Sequence, residues 1–173
     1  MTRSRDVATQ GGLVLLSSSI FSAQSSVSFD NVFSATYDNY LIHIANTGST
    51  TAVDVIMRLR ASGVDNSSAN YSRSSLYQSS TTVSGQLLTS QTSWIGVSSA
   101  ISTQRQFSQL TVFNPFAAQY TAAIGDLVDT PNGSTNQSRR GFGTTVTTSY
   151  DGFSIIPNSG TITGTISVYG IRK

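Results

Sequence analysis

The stretch Val53-Asp54-Val55-Ile56-Met57-Arg58-Leu59-Arg60 decides the fold. Successive side chains of an extended strand point to opposite sides, so Val53, Val55, Met57 and Leu59 share one face while Asp54, Arg58 and Arg60 share the other. Apolar residues at every second position, with charges between them, describe a strand that has one side in a core and the other in water. The same period returns near the C-terminus, where Ile162, Gly164, Ile166 and Val168 alternate with Thr161, Thr163, Thr165 and Ser167. β-Branched residues suit a pleated surface, and the glycine marks a bend or a close approach of another backbone.

Working outward from these two runs, further strands are predicted at 13–21, 26–29, 40–45, 71–78, 86–89, 107–113, 122–128, 143–148 and 153–156. Between them lie strings such as Asn46-Thr47-Gly48, Gly63-Val64-Asp65-Asn66 and Pro157-Asn158-Ser159-Gly160, whose residues tolerate positive φ or preset it. Arg139-Arg140 is read as part of a glycine-flanked turn. A small motif occurs twice, as Thr36-Tyr37-Asp38-Asn39-Tyr40 and as Ser149-Tyr150-Asp151-Gly152-Phe153. It is read as a matched turn into a strand, with Asp bonding local N–H groups and Asn39 or Gly152 left-handed, in preference to a pair of catalytic carboxylates. Short strands at close spacing predict an all-β chain, a two-sheet antiparallel β-sandwich that is jelly-roll-like. No shift in composition divides it, so residues 13–173 are read as one sandwich domain preceded by an N-terminal arm over residues 1–12.

Composition agrees. Of 173 residues only 10% are charged, against about 25% in an average domain. All eight acidic residues are Asp, and the one Lys is Lys173. Without Glu and Lys, long amphipathic helices lose their usual exposed residues. A net charge of +2 spread over such a surface forms no stripe for nucleic acid, and no partner of that kind is expected. The apolar run at Leu13-Val14-Leu15-Leu16 is too short for a secretory leader or a membrane span, which predicts a chain made soluble in a cytoplasm and not inserted in a membrane. No Cys is present, so thiol chemistry is excluded.

Residues for catalysis are scarce: one His, no Glu and no G-x-S-x-G turn. His43 lies within an alternating run, on the side opposite Tyr40, Ile42 and Ile44, and is expected to point outward. For a metal only Asp126 and Asp129 come near each other, and no cofactor is expected. Aromatic rings are the remaining means of recognition, since they stack on sugars or anchor protein contacts. Tyr71, Tyr77 and Trp94 are the candidate ligand-binding residues; Trp94 reads either as core or as an exposed platform. Arg3 and Arg5 are the candidate contacts of an assembly arm, polar and glycine-containing, that orders against a neighbour.

The runs Gly11-Gly12-Leu13 to Ser25-Ser26-Val27, Phe33-Ser34-Ala35-Thr36-Tyr37-Asp38-Asn39-Tyr40, Met57-Arg58-Leu59-Arg60-Ala61-Ser62-Gly63-Val64-Asp65 and Tyr150-Asp151-Gly152-Phe153 through Tyr169-Gly170 resemble the small tail or virion structural proteins of environmental tailed bacteriophages, cyanophages among them. The likeness spans nearly the whole chain and carries no functional residue with it. It implies a non-enzymatic virion protein. Its expected role is a tail or fibre module that takes part in host attachment through a surface glycan or protein. The alternative is a capsid decoration protein that cements the shell. Other virion proteins are the implied partners, and fold analogy adds a homotrimer. A glycan-degrading enzyme ranks behind both, because such enzymes use paired carboxylates in a groove.

Overall fold

Val53–Ala61 is a strand, and its alternation is the one its residues dictate: Val55, Met57 and Leu59 are fully buried while Asp54 is exposed. Burial of an aliphatic side chain of this size contributes about 1.5–3 kcal/mol. The computed structural model describes residues 12–79, 81–101, 104–129 and 135–172. Among them the strands are β1 (Leu13–Gln24), β2 (Val27–Phe29), β3 (Asn39–Ser49), β4 (Val53–Ala61), β5 (Val64–Asp65), β6 (Tyr71–Ser79) and β7 (Thr82–Gln91). They continue with β8 (Trp94–Ala100), β9 (Gln106–Phe113), β10 (Ala122–Asp129), β11 (Asn136–Thr144), β12 (Gly152–Pro157) and β13 (Ile162–Ile171), and no helix occurs among the described residues.

These strands form the expected two-sheet antiparallel sandwich. The larger sheet has eight strands in the order β1-β13-β3-β9-β10-β11-β6-β7. The smaller has five: β2-β12-β4-β5 in a row, with β8 paired to the other half of the β4 edge. The core between them holds Trp94, Tyr40, Tyr71, Tyr150, Phe33 and Phe153 with the aliphatic residues of β3, β4, β9 and β13. A buried phenol or indole needs a partner for its polar end. Tyr40 donates to the Ser34 carbonyl (2.9 Å), Tyr71 to the Asn66 carbonyl (3.0 Å), and the Trp94 N–H to the Gly143 carbonyl (3.0 Å). Burial pushes the Tyr71 hydroxyl far above the usual phenol range, so it stays protonated in this role.

Three local expectations are corrected. Residues 143–148 are not a strand beyond Thr144; the strand there is β11, which begins at Asn136. Arg139 and Arg140 therefore lie in mid-strand and not in a turn. The two Tyr-Asp motifs do lead into β3 and β12, but neither Asn39 nor Gly152 has positive φ. Gly152 is required for space, since a Cβ there would overlap the Phe29 carbonyl on β2.

On the outer face of the smaller sheet, Arg60 ties strands together. Its Nε donates to Asp30 (2.7 Å) and its Nη1 to Asp65 (2.5 Å) and Ser154 (2.9 Å). Burial works against its charge, yet the two carboxylates outweigh that and raise its pKa.

Candidate functional site

The larger sheet extends beyond the smaller one. At its β11-β6-β7 end the inward face is no longer covered by apolar side chains of β4 and β12, and the residue types change with it. Register places Phe142 beside Arg73 and Leu88, Arg140 beside Ser75 and Gln86, and Ser138 beside Tyr77 and Ser84. Moving outward along the strands, the apolar Phe142 and Leu88 of the first row give way to rows of polar residues and Tyr77. The result is a groove of about 520 Å³ between this overhang and the edge of the smaller sheet, lined by Arg73, Arg140, Tyr77 and Gln86 and also by Asp54 of β4 and Asp129 of β10. Its volume falls within the roughly 300–1,000 Å³ of small-ligand sites.

A bulge in β8 anchors the two arginines. Val55 pairs with Ser98 and Met57 with Trp94, so β8 spends three residues, Ile95 to Val97, where β4 spends one. Gly96 sits there with φ of +69°, a conformation glycine adopts freely, and a Cβ would overlap the Arg140 guanidinium. The bulge turns two carbonyls toward the groove: Ile95 accepts from Arg73 Nη1 (3.2 Å) and Gly96 accepts from Arg140 Nη1. Arg73 also donates to Gln86 Oε1.

Electrostatically the two guanidinium groups are poorly provided for. Arg73 is only 7% exposed, and the Nε atoms of both Arg73 and Arg140 are buried without an acceptor. Arg60 is paired with Asp30 and Asp65, and Arg139 with Asp126, but among the described residues neither Arg73 nor Arg140 has a carboxylate within ion-pair distance. Desolvation lowers the pKa of both, and the charge of Arg73 lowers that of Arg140 further, with Asp54 and Asp129 offsetting part of the effect. Asp129 is engaged by the Ser99 hydroxyl (2.6 Å).

Of the ligand-binding candidates, only Tyr77 reaches this groove, half-buried on its wall. Tyr71 is corrected and Trp94 takes the core one of its two readings: both are fully enclosed, edge to face at 6.2 Å, and offer no ring to a ligand. Arg3 and Arg5 lie outside the described residues. His43 points outward as expected, with Nε2 3.2 Å from Gln109 Oε1. Asp126 and Asp129 cannot share a metal, because three residues apart on one strand they face opposite ways: Asp126 is outward beside Arg139 and Asp129 inward toward Ser99. Among the described residues no group of three or more His, Asp, Glu or Cys could hold a metal. Sequence reasoning missed Arg73 and Arg140. The signal was there for Arg140, since Asn136, Ser138, Arg140, Phe142 and Thr144 alternate with one another, but four of the five are polar.

Fold and groove define an all-β sandwich with an arginine-lined recess at the overhang of its larger sheet. No protein-family model and no curated relative matches the chain. Two solved structures are similar at the level of a distant superposition. One is the β-fructofuranosidase of Schwanniomyces occidentalis complexed with fructosyl-erythritol, at 7% identity and a TM-score of 0.24. The other is a variant of that enzyme complexed with fructosylnystose, at 8% identity and a TM-score of 0.22. In both cases 93% of this chain is covered, and the chain spans 34% of the other's length.

Proposed function

We propose that this chain is a structural protein of a bacteriophage particle, a tail or fibre surface module that takes part in host attachment by binding a surface glycan. The observation that carries the reading is the groove at the overhang, where a tyrosine ring, hydroxyls, an amide and two arginines converge on a recess of ligand size. Sugars are held by this combination: a ring face against the apolar side of the pyranose and planar polar groups against its hydroxyls. Guanidinium groups do not shuttle protons at neutral pH, so the two arginines are suited to holding a ligand. The resemblance of the sequence to phage tail and virion proteins supports the setting. A homotrimer suits it too, because copies around an axis multiply weak contacts.

The second reading, a capsid decoration protein, is favoured by a different surface. The outer face of the larger sheet exposes Phe107 (52%), Leu76 (61%) and Val83 (66%), side chains that would gain from burial against other virion subunits.

Antibodies to the chain, used for gold labelling of intact particles and for blocking adsorption, separate the two. The attachment reading expects label at the tail and reduced adsorption. Label spread over the capsid with adsorption unimpaired replaces it with the decoration reading.

A further inference from the structure

We propose that the groove takes an acidic saccharide, its oxyanion held between Arg73 and Arg140 and its sugar ring laid against Tyr77. The inference rests on the attachment reading and names the ligand class of the same site.

The argument begins from an imbalance of donors. Two guanidinium groups bring ten N–H bonds between them. The acceptors that meet them among the described residues are two β8 carbonyls and the Gln86 amide oxygen, while both Nε atoms stay buried and unmatched. Arginine is seldom buried unless paired, because the charge has lost its water. Elsewhere this protein follows that rule even where burial is less: Arg60, half-buried, carries two carboxylates. Asp54 and Asp129 line the same groove, yet neither closes an ion pair with Arg73 or Arg140.

The unpaired arginines are also held in place. Gly96 leaves the space that Arg140 fills, and the β8 bulge anchors one nitrogen of each group, leaving the forks side by side at the recess. Two planar forks in a fixed position match an oxyanion with two or three oxygens. Tyr77, Ser75 and Gln86 on the adjoining rows then meet the rest of a sugar. A carboxylate and a sulfate ester share this chemistry.

The test is titration calorimetry of the full chain with four probes: oligogalacturonate, a sulfated dextran oligosaccharide, a neutral dextran oligosaccharide and inorganic phosphate. Binding of an acidic oligosaccharide, weakened at least about tenfold by Arg140→Gln and by removal of the acidic group, is the expected result. The tighter of the two acidic probes identifies the oxyanion. Tyr77→Ala should weaken the oligosaccharide several-fold and leave phosphate unchanged. Should Arg140→Gln fail to fold by circular dichroism, Arg140→Lys, which keeps the charge and removes the fork, carries the same expectation. Equal binding of neutral and acidic oligosaccharides, or acidic binding untouched by these arginine variants, overturns the oxyanion and leaves glycan attachment standing. Failure to bind any saccharide, while the labelled protein still adsorbs to host cells, overturns the inference and leaves attachment through another surface. Failure of both removes the two together.

Discussion

The inward face of the larger sheet has two ends that follow the same alternation and hold opposite chemistry. On β13 and β3 the inward positions are Ile162, Ile166, Val168, Tyr40, Ile42 and Ile44, all sealed by the smaller sheet. On β11 and β6, past the core residues Phe142 and Tyr71, they are Ser138, Arg140, Arg73, Ser75 and Tyr77, facing a bulged edge strand and a recess. The period of a strand says which way a side chain points; whether that direction is core depends on how far the opposing sheet reaches. Here it reaches as far as Trp94, packed 5.6 Å from Phe142, and beyond that ring the polar residues begin.

The strongest way to break this comparison is to put a charge in the sealed end. Leu59→Asp places a carboxylate with no partner among Tyr71, Trp94 and their neighbours and should abolish soluble expression. Arg58→Ser, one residue away on the other face, removes only a bond to the Thr92 carbonyl (3.3 Å) and should change stability by less than about 0.5 kcal/mol. Equal soluble yields for the two variants would mean that β4 does not present Leu59 to the core.

Next comes the boundary between the ends. Trp94→Ala removes the largest buried side chain and leaves the Gly143 carbonyl without its donor, so chemical denaturation should show a loss of about 3–5 kcal/mol. A loss below 1 kcal/mol would mean that the ring does not close the core.

These two ends also account for what could be read from the sequence. Val53 to Arg60 and Thr161 to Val168 announce their strands because apolar and polar residues alternate under a full cover. β11 and β8 do not. Asn136-Gln137-Ser138-Arg139-Arg140 shows no contrast between its faces, since both are polar, and Arg139-Arg140 between a serine and a glycine looks like a turn. Ile95-Gly96-Val97 breaks period two by its bulge, which hides the strand that anchors the two arginines. Tyr71 and Tyr77 are six residues apart on one strand face, yet one is core and the other wall, a distinction fixed by the length of the opposing sheet and absent from local sequence. The candidate site was therefore legible only through Tyr77.

A smaller effect sharpens the contrast between paired and unpaired arginines. Arg60→Met leaves Asp30 and Asp65 without their shared cation and Ser154, fully buried, short of a donor. Charge-assisted bonds of partly covered groups are worth about 1–3 kcal/mol together after solvent screening, and a loss of that size is expected in a denaturation midpoint.

Arg140→Met should show the smallest effect on stability. Methionine is unbranched and follows the Arg140 stem as far as Nε, leaving to water the space beside Gly96 that the guanidinium filled. The substitution removes a charge that burial and Arg73 both disfavour, together with a buried Nε that has no acceptor. It also removes the bond to the Gly96 carbonyl, where water in the vacated space can take over as donor. Replacing a desolvated charge by an apolar side chain of matching volume is often neutral or stabilising. Stability within about 1 kcal/mol of the parent, or above it, is the expected outcome in urea denaturation at an unchanged slope, and a groove kept at that cost serves a ligand better than it serves the fold. A loss as large as that of Arg60→Met would mean that Arg140 holds the overhang together, and the two ends of the sheet would then differ in composition but not in purpose.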